Sequence, residues 1–339
     1  MNLCHTSDDI RRLLTALSEA DADAMQACLY REGKLTKPGG SLGRLEEITP
    51  WLAGWQRAYP PDLSQVRILV FAGNHGVTAH GVSPYPATVT AQMVANFRAG
   101  GAAINQLARV AGADLGIVSL ELDDPTGDIT DEPAMTEAAF CGAFNAGIEA
   151  VGEGCDLLAL GEMGIGNTTI AAALAAAITD EDAATWVGAG TGLGAEGIEH
   201  KAEIVKRAVT RHTADQPDAV TLLQRLGGRE VAAIAGAIVA ARLKRTPVLL
   251  DGFVVSAAAL VLKAMAPNAL DHCLASHRSG EQAHGRLLEG LGKKPLLDLG
   301  MRLGEGSGAA LAIPLIRASL ACHRQMATFD EAGVSDRAE

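Results

Sequence analysis

The chain has 339 residues, which at about 150 residues per domain predicts two domains or one large domain with an appendage. Its net charge of −12, with no Lys/Arg block longer than two residues, argues against the basic stripe that nucleic-acid binding requires. The longest apolar stretch, 231–241, is shorter than the roughly 20 residues of a membrane span, and the charged N-terminal segment shows no signal peptide. Six cysteines without a CxxC pair predict reduced thiols and a cytoplasmic protein.

Helical patterns begin the chain at 7–32 and 43–58, with a Gly/Pro loop between them. From residue 66, short apolar runs alternate with longer Ala-rich helical patterns. The predicted strands are 66–71, 115–120, 157–160, 185–187, 248–250, 269–275 and 295–299, and the intervening helical patterns include 89–110, 168–178, 230–244 and 254–266. This alternation predicts an α/β fold with a Rossmann-like parallel sheet flanked by helices.

The same pattern predicts how the chain is divided. We expect residues 1–60 and about 308–326, the two ends of the chain, to form a small helical domain. Residues 61–307 then form the large α/β catalytic domain. The remaining residues, 327–339, are polar and are predicted to form a frayed tail.

The glycines cluster just after predicted strands, in the loops AGNHG (72–76), GEMGIGNTT (161–169), GAGTGLG (188–194), DG (251–252), SHRSG (276–280) and LGEGSG (303–308). Loops without Cβ atoms let backbone amides approach a ligand closely. In an open parallel sheet, ligands bind beyond the carboxyl ends of the strands. We therefore predict a binding site there, although any one of these clusters could be an ordinary helix stop.

The GIGNTT segment begins a predicted helix, whose free amides and dipole suit a phosphate. The alternative is a capped, buried helix whose glycines only permit close packing. GLGAEG at 192–197 matches GxGxxG, but no acidic residue closes a strand about 20 positions later, so NAD binding is disfavoured. No GxxxxGK[ST] loop is present, which argues against an ordinary NTPase.

Glu162 and Glu305 each lie in a Gly-rich loop with apolar neighbours, a setting that can raise a carboxyl pKa toward that of a general base. Alternatively, Glu305 stabilises a helix N-terminus. Arg302 and Lys201 could neutralise a phosphate, with a solvated surface charge as the alternative for Lys201. The histidines show no HExxH and no i,i+4 ligand pair, so neither a metal site nor another cofactor is predicted. His75 could line the crevice or hold a turn.

Seven segments resemble the nicotinate-nucleotide:dimethylbenzimidazole phosphoribosyltransferase family, in order from about residue 34 to 320. They are LTKPGGSLGRLE (35–46), VFAGNHGVTAHGVSPYPATVTAQMVANFRAGGAAIN (70–105), GEMGIGNTT (161–169), GAGTGL (188–193), LLDGFV (249–254), SHRSGEQAH (276–284) and LDLGMRLGEGSGAALA (297–312). The resemblance implies a homodimer of α/β subunits, each with a small helical domain. It also implies transfer of the phosphoribosyl group of nicotinate mononucleotide to 5,6-dimethylbenzimidazole, giving α-ribazole 5′-phosphate and nicotinate, in cobalamin biosynthesis.

The resemblance also implies roles for individual residues. Glu305 matches the family's general base, and Glu162 matches a second active-site carboxylate that orients or assists. The nucleotide and phosphate positions are Gly164, Gly166, Asn167, Thr168, Gly190, Lys201, Ser279, Gly280 and Arg302, and the benzimidazole positions are Met163, Leu303, Ser83, Tyr85 and Gln92. The chain departs from the family pattern at Asn74, where many members have Asp, and at Gly39, where a proline is frequent.

Two other functions remain open at this point. A hydrolase or phosphorylase that cleaves the same N-glycosidic bond would use a similar scaffold, and a non-catalytic nucleotide-binding module would need only the Gly-rich loops. The choice of benzimidazole over other bases is also open, because one methyl group in an apolar pocket changes the binding free energy by only ~1–3 kcal/mol.

Overall fold

A parallel five-stranded sheet forms the centre of the computed structural model, which describes residues 3–335. The strands within that range are β1 (Val66–Ala72), β2 (Asp114–Ser119), β3 (Leu157–Met163), β4 (Val248–Leu250) and β5 (Cys273–Ala275). Their order is β2-β1-β3-β4-β5 and every neighbouring pair is parallel. The predicted parallel α/β sheet is therefore confirmed.

Helices cover both faces of this sheet and both ends of the described chain. They are α1 (Ser7–Thr15), α2 (Ala22–Glu32), α3 (Leu45–Gln56), α4 (Thr88–Ala99), α5 (Ala103–Ala111), α6 (Glu137–Ala150), α7 (Asn167–Thr179), α8 (Ala183–Trp186), α9 (Ala195–Thr213), α10 (Ala219–Leu226), α11 (Arg229–Leu243), α12 (Phe253–Met265), α13 (Gln282–Leu291), α14 (Ser307–Gln325) and α15 (Phe329–Ala332). A short 3-10 helix, Gly76–His80, follows β1. None of the helices within 3–335 is long and apolar enough to cross a membrane.

The alternation of side chains along the strands separates the core into two layers. Leu69 and Phe71 of β1 pack with α6, α7, α11 and α12 on one face. Ile68 and Val70 pack with α3, α5 and α14 on the other. Because both faces are covered by helices, the strands are apolar runs without a polar face, as the sequence suggested.

Close contact between α6 and α11 explains the Ala- and Gly-rich composition. A Cβ at Gly147 would lie 1.8 Å from the Ala233 carbonyl oxygen, and one at Gly236 would lie 2.1 Å from the Phe144 oxygen. The two backbones therefore touch where they cross, and no larger residue fits at either position. All residues of α11 from Arg229 to Arg242 are buried.

Several predicted elements differ in the structure. The apolar run 185–187 is not a strand, because Asp182 accepts a hydrogen bond from Ala184 N and begins α8 there. The run 295–299 contributes only a single bridge, between Leu297 and His277. The helical pattern 89–110 divides into α4 and α5 at Gly100, whose φ of +81° ends the first helix.

The first helical pattern, 7–32, also divides, into α1 and α2. Between them, Ser18 is bonded to the end of α11, since its hydroxyl donates to the Arg242 carbonyl at 2.8 Å and its own carbonyl accepts from Arg242 Nε at 2.5 Å. A tertiary contact that no local pattern indicates thus interrupts the helix.

The two ends of the chain pack in different places. Helices α2 and α3 lie against each other, and α3 also lies against α14, whereas α1 lies against α10. There Arg11 contacts both Asp218 oxygens, at 2.6 and 2.9 Å. The division into a small and a large domain therefore stays a prediction, as in the sequence analysis.

The tail from 327 onward was expected to be frayed, whereas its described part is hydrogen-bonded to the chain. Thr36 N donates to the Ala327 carbonyl at 3.0 Å and Phe329 N donates to the Lys34 carbonyl at 3.0 Å. Thr328 then caps α15. These bonds join the described part of the tail to the segment 34–36, and residues 336–339 lie outside the described range.

Candidate active site

A cavity of about 410 Å³ lies beyond the carboxyl ends of β3, β4 and β5, next to the point where the strand order reverses between β1 and β3. Ligands of open α/β sheets bind at such a place. The predicted site residues that line it are Glu162, Met163, Gly164, Asn167, Thr168, Gly190, Ser279, Arg302, Leu303, Glu305 and Tyr85. The loop that follows β1, AGNHG, does not line this cavity.

Glu305 occupies a strained position at the cavity wall. Its φ is +63°, a left-handed conformation that a residue with a Cβ rarely adopts. The side chain is 5% exposed, and Oε2 has no hydrogen-bond partner among residues 3–335. Burial, reinforced by the negative charge of Asp251, raises the pKa of Glu305 to about 7. Its unpartnered oxygen is not the pattern of a helix cap, and strain of this kind is common at functional sites.

Glu162 lies at the end of β3, beside Glu305. The Glu305 amide donates to the Glu162 carbonyl at 3.2 Å. The Glu162 carboxylate accepts a short hydrogen bond from Asn167 Nδ2. Burial and then the charge of Asp251 raise the pKa of Glu162 to about 8, with Glu230 and Glu305 adding to this and the Asn167 bond opposing it. At neutral pH, Glu162 is therefore mainly protonated.

Asp251, which follows β4, fixes the start of α14 and with it Glu305. Its two oxygens accept from Gly306 N at 3.2 Å and Ala309 N at 2.9 Å, and the side chain is fully buried. Burial raises its pKa. His277 Nδ1 lies 3.7 Å from Oδ1. Sequence reasoning noted only the DG turn at this position and not the role of the carboxylate.

Lys201 lies behind the cavity wall and is 1% exposed, so the interpretation as a solvated surface charge is wrong. Its ammonium donates to Thr168 Oγ1 at 2.7 Å and to the Gly188 carbonyl at 3.5 Å. Burial lowers the pKa of Lys201 to about 8, against the opposing charge of Glu281. A buried ammonium without a carboxylate in contact, at least among the described side chains, is suited to an anionic ligand.

The loop before α7 points the N-terminus of that helix toward the same region. Gly166 has a φ of +90° and begins α7 without a side-chain cap within the described chain. A Cβ at Gly190, whose φ is +53°, would lie 2.8 Å from Thr168 Oγ1 and 3.3 Å from Lys201 Nζ. The backbone can therefore approach a ligand at both loops, as the glycine clusters predicted.

The segments that carry Ser279, Gly280 and Arg302 are joined by hydrogen bonds. Gly280 N donates to the Met301 carbonyl at 2.8 Å, and Arg302 Nη1 donates to the Gly190 carbonyl at 3.3 Å. Ser279 Oγ accepts from Glu281 N at 3.2 Å. These bonds join the segments of Ser279, Gly280 and Arg302 to one another and to the loop of Gly190.

The other predicted positions are placed in different ways. Gly166, Lys201 and Gly280 lie behind the lining residues rather than in the lining itself. Ser83 contacts the cavity wall indirectly, because its hydroxyl lies 2.9 Å from that of Thr191. Gln92 is exposed on α4 and does not line the cavity.

The lining also includes residues that sequence reasoning did not select, namely Val89, Met93, Ile165, Thr191, Gly252, Phe253, Val254, His277, Glu281 and Gly304. Many of them belong to the Gly-rich clusters or directly follow one. The signal that could have found them was therefore the position of each cluster after a strand. Val89 and Met93 of α4 carried no comparable signal.

Comparison with known proteins gives the family. The phosphoribosyltransferase model DBI_PRT matches residues 17–334. The chain belongs to this phosphoribosyltransferase family. Nicotinate-nucleotide–dimethylbenzimidazole phosphoribosyltransferases from Brucella anthropi and Sinorhizobium medicae are 53% and 54% identical to it, over 97% of both chains in each comparison.

A solved structure shows the same architecture. The phosphoribosyltransferase fold of this chain matches the crystal structure of CobT from Thermus thermophilus with a TM-score of 0.88 and 43% sequence identity. The match covers 93% of this chain and 100% of the other. The expected family and fold are both confirmed.

Proposed function

We propose that this phosphoribosyltransferase moves the 5-phosphoribosyl group of nicotinate mononucleotide to 5,6-dimethylbenzimidazole, giving α-ribazole 5′-phosphate and nicotinate. The names of the relatives from Brucella anthropi and Sinorhizobium medicae support this choice of substrates. The observation that carries the proposal is the presence, around one cavity, of an unpartnered carboxyl at Glu305 and a buried ammonium at Lys201. The carboxyl can accept the proton of the attacking base, and the ammonium can bind the phosphate of the nucleotide.

The phosphate of the nucleotide binds at the end of the cavity near Lys201. The ammonium, the start of α7 and the hydroxyl of Ser279 offer donors there, and Arg302 adds a second positive charge. A dianionic phosphate favours the charged form of Lys201, so it reverses the effect of burial on the lysine pKa. Gly164, Gly190 and Gly280 let the backbone approach the ligand.

Glu305 acts as the general base. The benzimidazole attacks C1′ of the ribose with the lone pair of one ring nitrogen, and the bond from C1′ to nicotinate breaks with its electrons on the pyridine nitrogen. Nicotinate thus leaves as a neutral ring and needs no acid, and attack from the opposite face changes the anomer from β to α. The N–H proton of the benzimidazole goes to the Glu305 carboxylate, whose pKa of about 7 suits a base at neutral pH.

Glu162 orients or assists in this step. Because it is mainly protonated at neutral pH, it adds no second negative charge beside Glu305 and can donate a hydrogen bond into the cavity. Its bond from Asn167 holds the carboxyl in place. When the pKa values of two neighbouring carboxyl groups differ, the group with the lower pKa is ionised and can act as the base.

The benzimidazole binds at the apolar end of the cavity. Met163 and Leu303 contribute apolar lining next in sequence to Glu162 and close to Glu305, and Tyr85, Val89 and Met93 extend it. Leu303 and Tyr85 are 56% and 53% exposed in the single chain. Ser83 does not line the cavity itself but contacts Thr191, which does. Gln92 would reach the base only through a second subunit or a movement of α4.

We also propose that the protein is a cytoplasmic homodimer in which a second subunit covers the exposed Tyr85 and Leu303. Light scattering at micromolar concentration should give about twice the chain mass of 35.0 kDa. A mass of one chain would contradict the dimer without affecting the proposed reaction. The six cysteines are free thiols in the described chain, which is compatible with a reducing compartment.

A crystal structure with nicotinate mononucleotide and the benzimidazole tests the placement of the substrates. We expect phosphate oxygens within hydrogen-bond distance of Lys201 Nζ and Ser279, and a benzimidazole nitrogen within hydrogen-bond distance of Glu305. A base bound away from Glu305, with the nucleotide in place, would contradict the assignment of that residue as the base.

A further inference from the structure

His75 and Glu230 form a buried pair that the proposed reaction does not use. His75 follows β1, Glu230 lies in the first turn of α11, and both side chains are fully buried. His75 Nε2 lies 3.0 Å from Glu230 Oε1, in an approach poorly aligned for a hydrogen bond. No other group of residues 3–335 bonds to the remaining ring nitrogen or carboxylate oxygen. Because desolvating such a pair costs free energy, its retention calls for a reason beyond stability.

Three glycines make the space for this pair. A Cβ at Gly73 would lie 2.4 Å from Glu230 Oε2, and one at Gly228 would lie 2.4 Å from His75 Cε1. A Cβ at Gly164 would lie 3.0 Å from His75 Nε2. These glycines come from the loop after β1, the start of α11 and the loop after β3, so the pair lies where three segments meet.

The third of those segments is part of the active site. Gly164 lines the cavity two residues after Glu162. The loop after β1 is joined to it, because Gly73 N donates to the Met163 carbonyl at 3.1 Å. The side chains of His75 and Glu230 thus support the segment that carries Glu162 from the side opposite to the cavity.

Glu230 also contributes to the charge around Glu162. The acidic groups that face Glu162 are Asp251 after β4, Glu305 before α14 and Glu230 on α11, and Asn167 of α7 is the neutral donor. Burial is the main cause that raises the pKa of Glu162, and the negative charge of Glu230 acts in the same direction.

The neighbouring cation does not compensate Glu230. The Arg229 guanidinium turns to the 121–124 loop, where Nη2 lies 2.8 Å from Asp124 and 3.5 Å from Glu121. Among the described residues, His75 is therefore the one basic side chain within 4 Å of the Glu230 carboxyl.

We propose that Glu230, which faces His75, is a positioning residue for Glu162: the buried pair fixes the loop after β3 from behind and sets the position of the Glu162 carboxyl. For its effect on turnover, this inference rests on the proposed function. The effect of Glu230 on Glu162 can be measured without any substrate. A failure of this inference can therefore be distinguished from a failure of the proposed function.

The decisive experiment is an infrared titration of the Glu162 carboxyl in the substrate-free protein. The band of the protonated acid is identified by its loss in Glu162→Gln. Glu230→Gln keeps the volume of the side chain and removes its charge, so we expect the midpoint of this band to fall by about one pH unit. An unchanged midpoint in folded Glu230→Gln would overturn the proposal.

Two substitutions of His75 provide a test that does not need Glu230→Gln to fold. Gln offers an N–H near the position of Nε2, so His75→Gln should keep the wild-type midpoint. Leu offers no polar atom to face the carboxyl, so in His75→Leu we expect Glu230 to lose its position and the Glu162 midpoint to fall as in Glu230→Gln. Equal midpoints in His75→Leu and the wild type would contradict the inference.

A matched control comes from the pair His323–Glu32 near the ends of the chain, in which His323 is buried, Glu32 is partly buried, and His323 Nδ1 lies 2.9 Å from Glu32 Oε2. His323→Gln should leave the Glu162 midpoint at the wild-type value. In turnover, Glu230→Gln should lower kcat by about tenfold and change KM for the nucleotide by less than about twofold, because the phosphate residues are untouched. A fall in stability with no change in the midpoint or in kcat would show a structural role only.

Discussion

Glu305 combines three features that are each unfavourable for the folded state: a left-handed backbone, a buried carboxyl and an oxygen without a partner in the described chain. The strain persists because Asp251 holds the adjacent amides of Gly306 and Ala309. A residue that contributed only to stability would not be expected to accumulate such costs. The same features are expected of a carboxyl group that must accept a proton from a substrate, because its oxygen has to stay free of other partners.

Replacing Glu305 with Gln should therefore separate activity from stability. We expect kcat to fall by roughly 10²–10⁴-fold, the usual contribution of a general base. Because the folded pKa of about 7 lies above the ordinary value of 4.5, the wild type loses stability as pH rises from 4.5 to 7, and the variant lacks that loss. Melting temperatures at pH 8 should be equal or higher in the variant.

The pH dependence of the wild type provides an independent check on Glu305. The base must be ionised, so kcat should rise with pH through about 7, and this rise should be absent in Glu305→Gln. Near-normal turnover in the variant, or an unaltered pH profile, would show that Glu305 is not the base.

Lys201 gives a second prediction for a single residue. Because its pKa is lowered from 10.5 to about 8, the unfolded chain binds the proton more tightly, and stability should rise as pH increases from 8 to 10.5. Lys201→Met should remove this rise and should increase KM for nicotinate mononucleotide by about 10- to 100-fold, the loss of a charged hydrogen bond.

The control for that substitution lies on the same helix. Lys206 of α9 is exposed, so Lys206→Met should leave both KM and the pH dependence of stability unchanged. Calorimetry of each protein with and without the nucleotide measures both effects. If Lys201→Met bound the nucleotide as tightly as the wild type, the phosphate would have to lie elsewhere.

Single residues also show the limit of sequence reasoning. Glu162 and Glu305 could be found because each lies in a Gly-rich loop, and a family resemblance then assigned their roles. The partners that set their pKa values could not be found, because Asp251 and Glu230 reach them only through the fold. For the same reason, the burial of Lys201 was missed.

Among the elements, the contact between β3 and the start of α14 is the one on which the site depends most. A Cβ at Gly161 would lie 2.3 Å from Gly306 N and 2.6 Å from the Glu305 carbonyl carbon. These are backbone atoms, which cannot rotate away as a side chain would. The strand and the loop can be this close only because residue 161 has no side chain.

Gly161→Ala should therefore displace the segment that carries Glu305. We expect kcat to fall by about 10²-fold, since a displacement of about 1 Å in a catalytic group can have that effect. Gly142 of α6 is the matched control, because a Cβ there meets no atom of the described chain within 4 Å. Gly142→Ala should stabilise the protein by about 1 kcal/mol and leave kcat unchanged. Equal kcat in the two variants would show that the close contact is not required for activity.

The elements were predictable where their signal is local. The runs that form β1, β3 and β4 are apolar and are followed by glycines, and the structure has strands at all three. The runs at 185–187 and 295–299 have similar composition, but a cap by Asp182 and the lack of a full partner strand decide against them. Likewise, the break between α1 and α2 depends on the bonds of Ser18 to α11.

At the scale of the whole molecule, the proposed site reconciles an acidic chain with a phosphate ligand. The net charge is −12, yet the end of the cavity proposed for the phosphate lies near one buried lysine, an exposed arginine and the start of α7. Local donors decide the affinity at such a site, whereas net charge governs long-range attraction. The charge argues against polymeric nucleic acid as a partner but is compatible with a nucleotide.

The central claim is the transfer of phosphoribose between two bases, and product analysis tests it most directly. The purified protein is incubated with nicotinate mononucleotide, with and without 5,6-dimethylbenzimidazole, and the products are identified by NMR. We predict that nicotinate appears only when the benzimidazole is present, in a one-to-one ratio with a ribazole phosphate of α configuration. Ribose 5-phosphate formed equally fast with and without the benzimidazole would contradict the account and indicate a hydrolase.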